Sequence, residues 1–193
     1  MKKGLKSIIL IFGILLSFSL SSVSNYKSVL LSDQKETYLN ESQILDYLIK
    51  ADSYEIKELK NKPFDTLQFN KVIAYDFEGT PWKSVFNQKN NKYSDVITNQ
   101  KKLNIEQIYR LVNLLTNPET YGSEQYECFN PHQGIIFYDN EKVKLVIDIC
   151  LDCNYLVSSI KIPTVDWGFS DEGIKNIIDL SKDLGLNYGN IKK

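Results

Sequence analysis

The chain has 193 residues, with 23 basic and 24 acidic side chains, one histidine and a formal net charge of −1. A single arginine, Arg110, and lysines scattered among acids exclude a binder of nucleic-acid backbones, which needs a clustered positive field with guanidinium forks. The length suits one ordinary domain able to bury a full core.

The chain opens "MKKGLKSIILIFGILLSFSLSSVSNYK". Lys2, Lys3 and Lys6 form a basic leader, an apolar run follows from Ile8 to Leu20, and small residues come next. That is the layout of a secretory signal. The run falls short of the about 20 residues a membrane span needs, so cleavage is expected near Ser24–Asn25. Residues 1–24 are then a signal peptide, 25–39 a flexible lead-in and 40–193 a single domain. Removing 24 residues that hold three lysines and no acid leaves 169 residues and a net charge of −4. No other stretch is apolar enough to cross a bilayer, so no stable membrane span is expected after cleavage. The protein is expected outside the cytoplasm, periplasmic or extracellular.

The first predicted helix is "NESQILDYLIKAD". Asn40 caps it, Gln43 reaches back in a capping box, and Ile44, Leu45, Leu48 and Ile49 share one face. "SYEIKELK" alternates weakly, as a strand would. "TLQFNKVIAYDFEG" is the clearest strand of the first half: Leu67, Phe69, Lys71, Ile73, Tyr75 and Phe77 fall on one face, with lysine the one polar interruption. "EGTP" is a turn signal, "WKSVF" a short strand and "NQKNNKYSD" a polar loop. "NIEQIYRLVNLL" is the second helix. It repeats the capping pattern with Asn104 and Gln107 and is stopped at Asn117–Pro118, because a residue before proline avoids helical geometry. "GIIFY" and "KVKLVIDI", joined by "DNE", form a hairpin. "CLDCN" turns the chain into a third strand, "YLVSSIKI". Ser170 caps a last helix with Ile174, Ile177, Ile178 and Leu184 inward, and Gly185 suits its left-handed cap. Successive strands joined by tight turns pair antiparallel. The expectation is an α+β domain with an antiparallel sheet of about five to six strands and three helices, mainly on one face.

All three cysteines and the only histidine lie between Glu127 and Asn154, spaced Cys-x3-His-x17-Cys-x2-Cys. Hairpin register brings residues 132–134 opposite 148–150, so Cys128, His132, Cys150 and Cys153 can gather at one end. Three readings compete. Three thiolates and an imidazole suit tetrahedral Zn²⁺, and the final Cys-x2-Cys has ligand spacing. Outside the cytoplasm, however, thiols oxidise. A disulfide among Cys128, Cys150 and Cys153 leaves one cysteine over. Cys150 and Cys153 are too far apart to bridge in extended strand but can do so across a tight turn. In the third reading the thiols do chemistry, as a Cys150/Cys153 redox pair or with Cys128 activated by His132. The redox version lacks the helix N-terminus that lowers a thiol pKa. The hydrolytic version needs a group to orient the ring, for which Asp139, Asp148 and Asp152 are the nearby acids. Against all three stands simple packing of buried cysteines.

Cys128, Pro131, His132, Tyr138, Asp139, Ile149, Cys150 and Cys153 together resemble a signature of uncharacterised secreted bacterial proteins: a cysteine, a Pro-His element, a hairpin and a Cys-aromatic-x-Cys turn. Leu151 departs from it, where an aromatic is expected. The resemblance implies a shared role for the four residues and no nameable activity.

Trp82 and Trp167 sit in turn-rich segments. They are candidates for a sugar- or peptide-binding platform, against the plainer role of plugging sheet edges. Asp76 and Glu78 share a strand face, more often a solvated face than an acid–base pair. The reading that follows is an exported binding or inhibitory module with a structural Cys/His cluster, acting on an extracytoplasmic protein or ligand. The alternative is an extracytoplasmic thiol- or metal-dependent enzyme using the same cluster.

Overall fold

Three helices form where capping chemistry and apolar periodicity coincide. The computed structural model describes residues 37–56, 59–165 and 167–187. The expected signal peptide, and the lead-in as far as residue 36, lie outside them. Helix α1 is Glu41–Lys50 and α2 is Ile105–Thr116. Each opens with a complete capping box: Asn40 with Gln43 at 2.9 and 3.0 Å, and Asn104 with Gln107 at 2.9 Å in both directions. Two backbone donors that a helix start leaves orphaned are thereby satisfied at each site. Helix α3, Asp171–Asp183, is capped by Ser170, whose hydroxyl accepts from the Gly173 amide at 3.1 Å. It ends at Gly185, with φ of +67°, a backbone setting that favours glycine.

The main sheet has five strands in the order β4-β1-β6-β7-β8, all neighbours antiparallel. These are β1 (Lys71–Phe77), β4 (Ile97–Lys102), β6 (Gln133–Asp139), β7 (Lys142–Cys150) and β8 (Tyr155–Ser158). Two small ribbons join it. One pairs β2 (Phe86–Asn87) with β3 (Lys92–Tyr93), the other β5 (Tyr121–Ser123) with β9 (Gly168–Phe169). The α+β class and the antiparallel sheet follow the sequence expectation.

Both faces of the sheet are covered. Val72, Ala74, Ile135, Phe137, Leu145 and Ile147 pack with α2 and α3. Ile73, Tyr75, Ile136, Tyr138 and Val146 pack with α1 and the β2–β3 ribbon. Two helices therefore share one face and α1 takes the other. Every residue of β1 is buried, where one solvated face was expected. Lys71, the polar interruption, reaches α1: its ammonium donates to the Leu48 carbonyl at 3.1 Å, near the negative end of the helix dipole.

Several local expectations change. Leu45 and Ile49 of α1 are 39% and 64% exposed, because α1 buries only the narrow stripe of Ile44 and Leu48. "SYEIKELK" forms no strand among its described residues. "WKSVF" contributes only Phe86 to a strand, and the polar stretch after it holds β3. The third strand of the hairpin region stops at Ser158.

Candidate functional site

The turn after β7 brings Cys150 and Cys153 together with Cα atoms 5.1 Å apart, and their sulfurs are bonded as a disulfide. Both residues are 0% exposed. The Asn154 amide donates to the Leu151 carbonyl, so the intervening residues form the tight turn that makes the bridge reachable. The preceding loop folds over this bridge. The Asn130 amide donates to Cys153 Sγ at 3.2 Å, and Cys150 Sγ sits 3.2 Å from the Asn130 carbonyl oxygen. The Tyr126 amide donates to the Cys153 carbonyl at 3.0 Å. Phe129 packs on the two sulfur-bearing residues and on the Tyr155 ring, at 5.0 Å between centroids.

That loop in turn holds a second one, residues 79–85, between β1 and β2. His132 Nδ1 accepts from the Gly79 amide at 3.1 Å, and its Nε2 faces the Asn130 side-chain amide at 3.5 Å. A Cβ on Gly79 would lie 2.5 Å from His132 Cε1 and Nε2; only glycine allows this approach. The Phe129 carbonyl accepts from the Trp82 amide at 2.8 Å, and the two rings meet at 5.9 Å. At the far end, Asp148 Oδ1 accepts from the Val85 amide at 2.9 Å. Asp148 pairs across the sheet with Gly134, where a Cβ would collide with the Val85 side chain. An imidazole, the carbonyl of Phe129, which rests on the bridge, and a carboxylate thus fix one loop at three points.

Trp82 is what that loop presents. It occupies the third position of the turn Thr80–Lys83, closed by the Lys83 amide on the Thr80 carbonyl at 3.0 Å. Its φ is +62°. Pro81 followed by a left-handed residue is the pattern of a type II turn, whose third position normally holds glycine or asparagine. For a bulky side chain this costs about 1–2 kcal/mol. The ring is nevertheless 69% exposed, so burial does not compensate the conformation.

Between Trp82, the β2–β3 ribbon and the β7–β8 edge runs a groove of about 710 Å³. Its lining includes Trp82, Ser84, Phe86, Tyr93, Asp148 and Val157. The Tyr93 hydroxyl is engaged with the Tyr138 hydroxyl at 3.0 Å, which meets that of Tyr75 at 2.7 Å. Asp148 is 5% exposed. Burial pushes its carboxyl up from 3.8 to about 6, against the opposing pull of the Ser84 hydroxyl and the Val85 amide. Among the described residues no lysine or arginine forms an ion pair with it.

The four residues singled out by spacing therefore divide. Cys150 and Cys153 are joined, His132 clasps Gly79, and Cys128 is exposed with a free thiol. A bonded sulfur pair offers no thiolates, and among the described residues no group of three or more His, Cys, Asp or Glu side chains is placed to hold a metal ion. Trp82 lines the groove. Trp167, 65% exposed, lies beside β9 and outside the groove lining. Asp76 accepts from the Asn187 amide at 2.6 Å, and Glu78 accepts from the Tyr38 hydroxyl. In the sequence Asp148 stands out only as one of three acids near His132. A lone carboxylate inside the apolar run Leu145–Cys150 was the signal available, since such a residue is buried whichever way it faces when both sheet faces are covered. No protein family, curated protein or solved structure matches this chain.

Proposed function

We propose that the chain is an exported binding module in which the cysteine–histidine cluster is scaffolding and the groove is the working surface. The observation that carries this reading is a contrast. The Cys150–Cys153 sulfurs are closed on each other at 0% exposure, while Trp82, held by the loop they support, stands 69% exposed over the groove. A disulfide persists in oxidising compartments, which fits the basic and apolar leader. No helix of the described residues is long and apolar enough to cross a membrane. The ligand is an extracytoplasmic molecule, bound or blocked rather than transformed.

The test is a thiol and metal count on protein purified natively from its exported fraction. One alkylatable thiol after denaturation, no bound metal and a mass lacking the leader are expected. One zinc and three thiols per chain would turn the cluster into a metal centre. Three thiols without metal would remove both the bridge and the metal. Exchange of His132 for alanine separates scaffold from enzyme: a scaffold loses binding only together with melting temperature, whereas a catalytic group loses turnover with the fold intact.

A further inference from the structure

We propose that the groove binds a short, neutral oligosaccharide, with Trp82 as the stacking face and Asp148 as the acceptor for sugar hydroxyls. The proposal rests on the binding-module reading and adds the ligand's chemical class.

Three observations point to that class. The groove is open and mixed in character: its lining joins the aromatic residues Trp82, Phe86 and Tyr93 to amide-bearing residues of the β2–β3 ribbon and turn such as Asn87 and Gln88. Its volume of about 710 Å³ lies within the usual range for small-molecule sites. Sugars present one face of C–H groups and a rim of hydroxyls, which an exposed indole and a set of polar groups satisfy together. Trp82 is also held in a left-handed backbone setting with its ring outward. Strain of this kind gathers at ligand contacts, and among the described residues Phe129 alone gives the ring an aromatic partner.

The third observation is the charge layout. Asp148 lines the floor, buried and with no ion pair among the described residues, while Lys83, Lys89 and Lys92 line the edges with Asp95. The edge repels a cationic ligand and the floor repels an anionic one. A neutral donor-rich ligand meets neither objection, and a buried carboxylate accepts hydroxyl hydrogens strongly.

The experiment uses the oxidised chain without residues 1–24. The probes are linear neutral hexasaccharides of glucose, mannose and N-acetylglucosamine, with an oligolysine and an oligoglutamate peptide as charged comparators. Binding is read by calorimetry and by tryptophan emission. At least one hexasaccharide is expected to bind and to shift the emission to the blue. The shift should persist in Trp167→Phe and vanish in Trp82→Phe. Trp82→Ala and Asp148→Asn should each weaken binding by about tenfold or more with the melting transition retained. Asparagine keeps an oxygen for the Val85 amide, so loss of binding there reports the carboxylate. Saccharide binding unaffected by either substitution overturns the placement. Binding of a charged peptide through Trp82, with no saccharide bound, overturns the ligand class and leaves the binding module standing. No binding by any probe overturns the saccharide proposal, and a zinc with three thiols per chain overturns the binding-module reading beneath it as well.

Discussion

Trp82 and Asp148 are each locally unfavourable, and each makes a measurable claim. Relieving the left-handed conformation at Trp82 by glycine gains about 1–2 kcal/mol. Against this stand the lost ring contact with Phe129, about 0.5–1.5 kcal/mol, and the added backbone freedom, about 0.5–1 kcal/mol. Trp82→Gly is therefore expected to change stability by no more than about 1.5 kcal/mol in a urea titration. A core tryptophan costs about 3–5 kcal/mol when truncated; a loss of that size would mean the ring is structural. For Asp148 the direction is set by burial. Its folded carboxyl titrates at about 6, above its ordinary 3.8, so the folded chain holds that proton more tightly than the unfolded one. The stability it contributes falls as pH rises from about 4 to 6 and is level above that. The shift corresponds to about 3 kcal/mol. Asp148→Asn is expected to be more stable than the parent at pH 7, by up to that amount, with the gap closing toward pH 4. A parent more stable than the variant at pH 7 would mean the carboxylate is compensated within the fold.

Among the elements, the loop of residues 79–85 is coupled to its supports by contacts that can be broken singly. Alanine at position 79 puts a methyl 2.5 Å from the His132 ring, an overpacking expected to cost about 1–3 kcal/mol. Removing the ring as well should return part of that loss, a positive coupling in a double-mutant cycle of Gly79→Ala with His132→Ala. Additive losses would show that the two do not touch in solution. The disulfide closes a very short loop, with a sequence separation of 3, so its removal as the Cys150→Ala/Cys153→Ala pair costs only about 2 kcal/mol of chain entropy. Its larger effect is local, since Asn130 and Phe129 rest directly on the bridge. Helices with capping boxes were legible because the signal is contained in four residues. Strand β4, "ITNQKK", was not. It is an edge strand that fully buries only Ile97, and its pairing with β1 is a tertiary choice that leaves no alternation to read.

For the molecule as a whole, the class was legible and the second layer was not. Antiparallel order followed from tight turns and local hairpins. That α1 covers the face opposite α2 and α3 is set by the match between the Ile44/Leu48 stripe and Ile73, Tyr75 and Ile136, which only packing reveals. The ribbons β2–β3 and β5–β9 are two or three residues per strand, too short for any period. The cysteine–histidine stretch was legible as a gathering of residues. Its division into a bridge, a clasp and a free thiol depends on the turn at Leu151–Asp152, and the groove depends on the left-handed Trp82, which no periodicity encodes. These pieces form one chain of support, from the bridge through Phe129–His132 to the loop that carries Trp82.

Amide hydrogen exchange, residue by residue, on the oxidised protein and on the Cys150→Ala/Cys153→Ala variant tests that chain of support most directly. Without the bridge, the Gly79 and Trp82 amides should lose protection, while the Val85 amide, held by Asp148, and the β6–β7 amides keep theirs. Unchanged exchange at Gly79 and Trp82, or a uniform loss that includes β6 and β7, would contradict it.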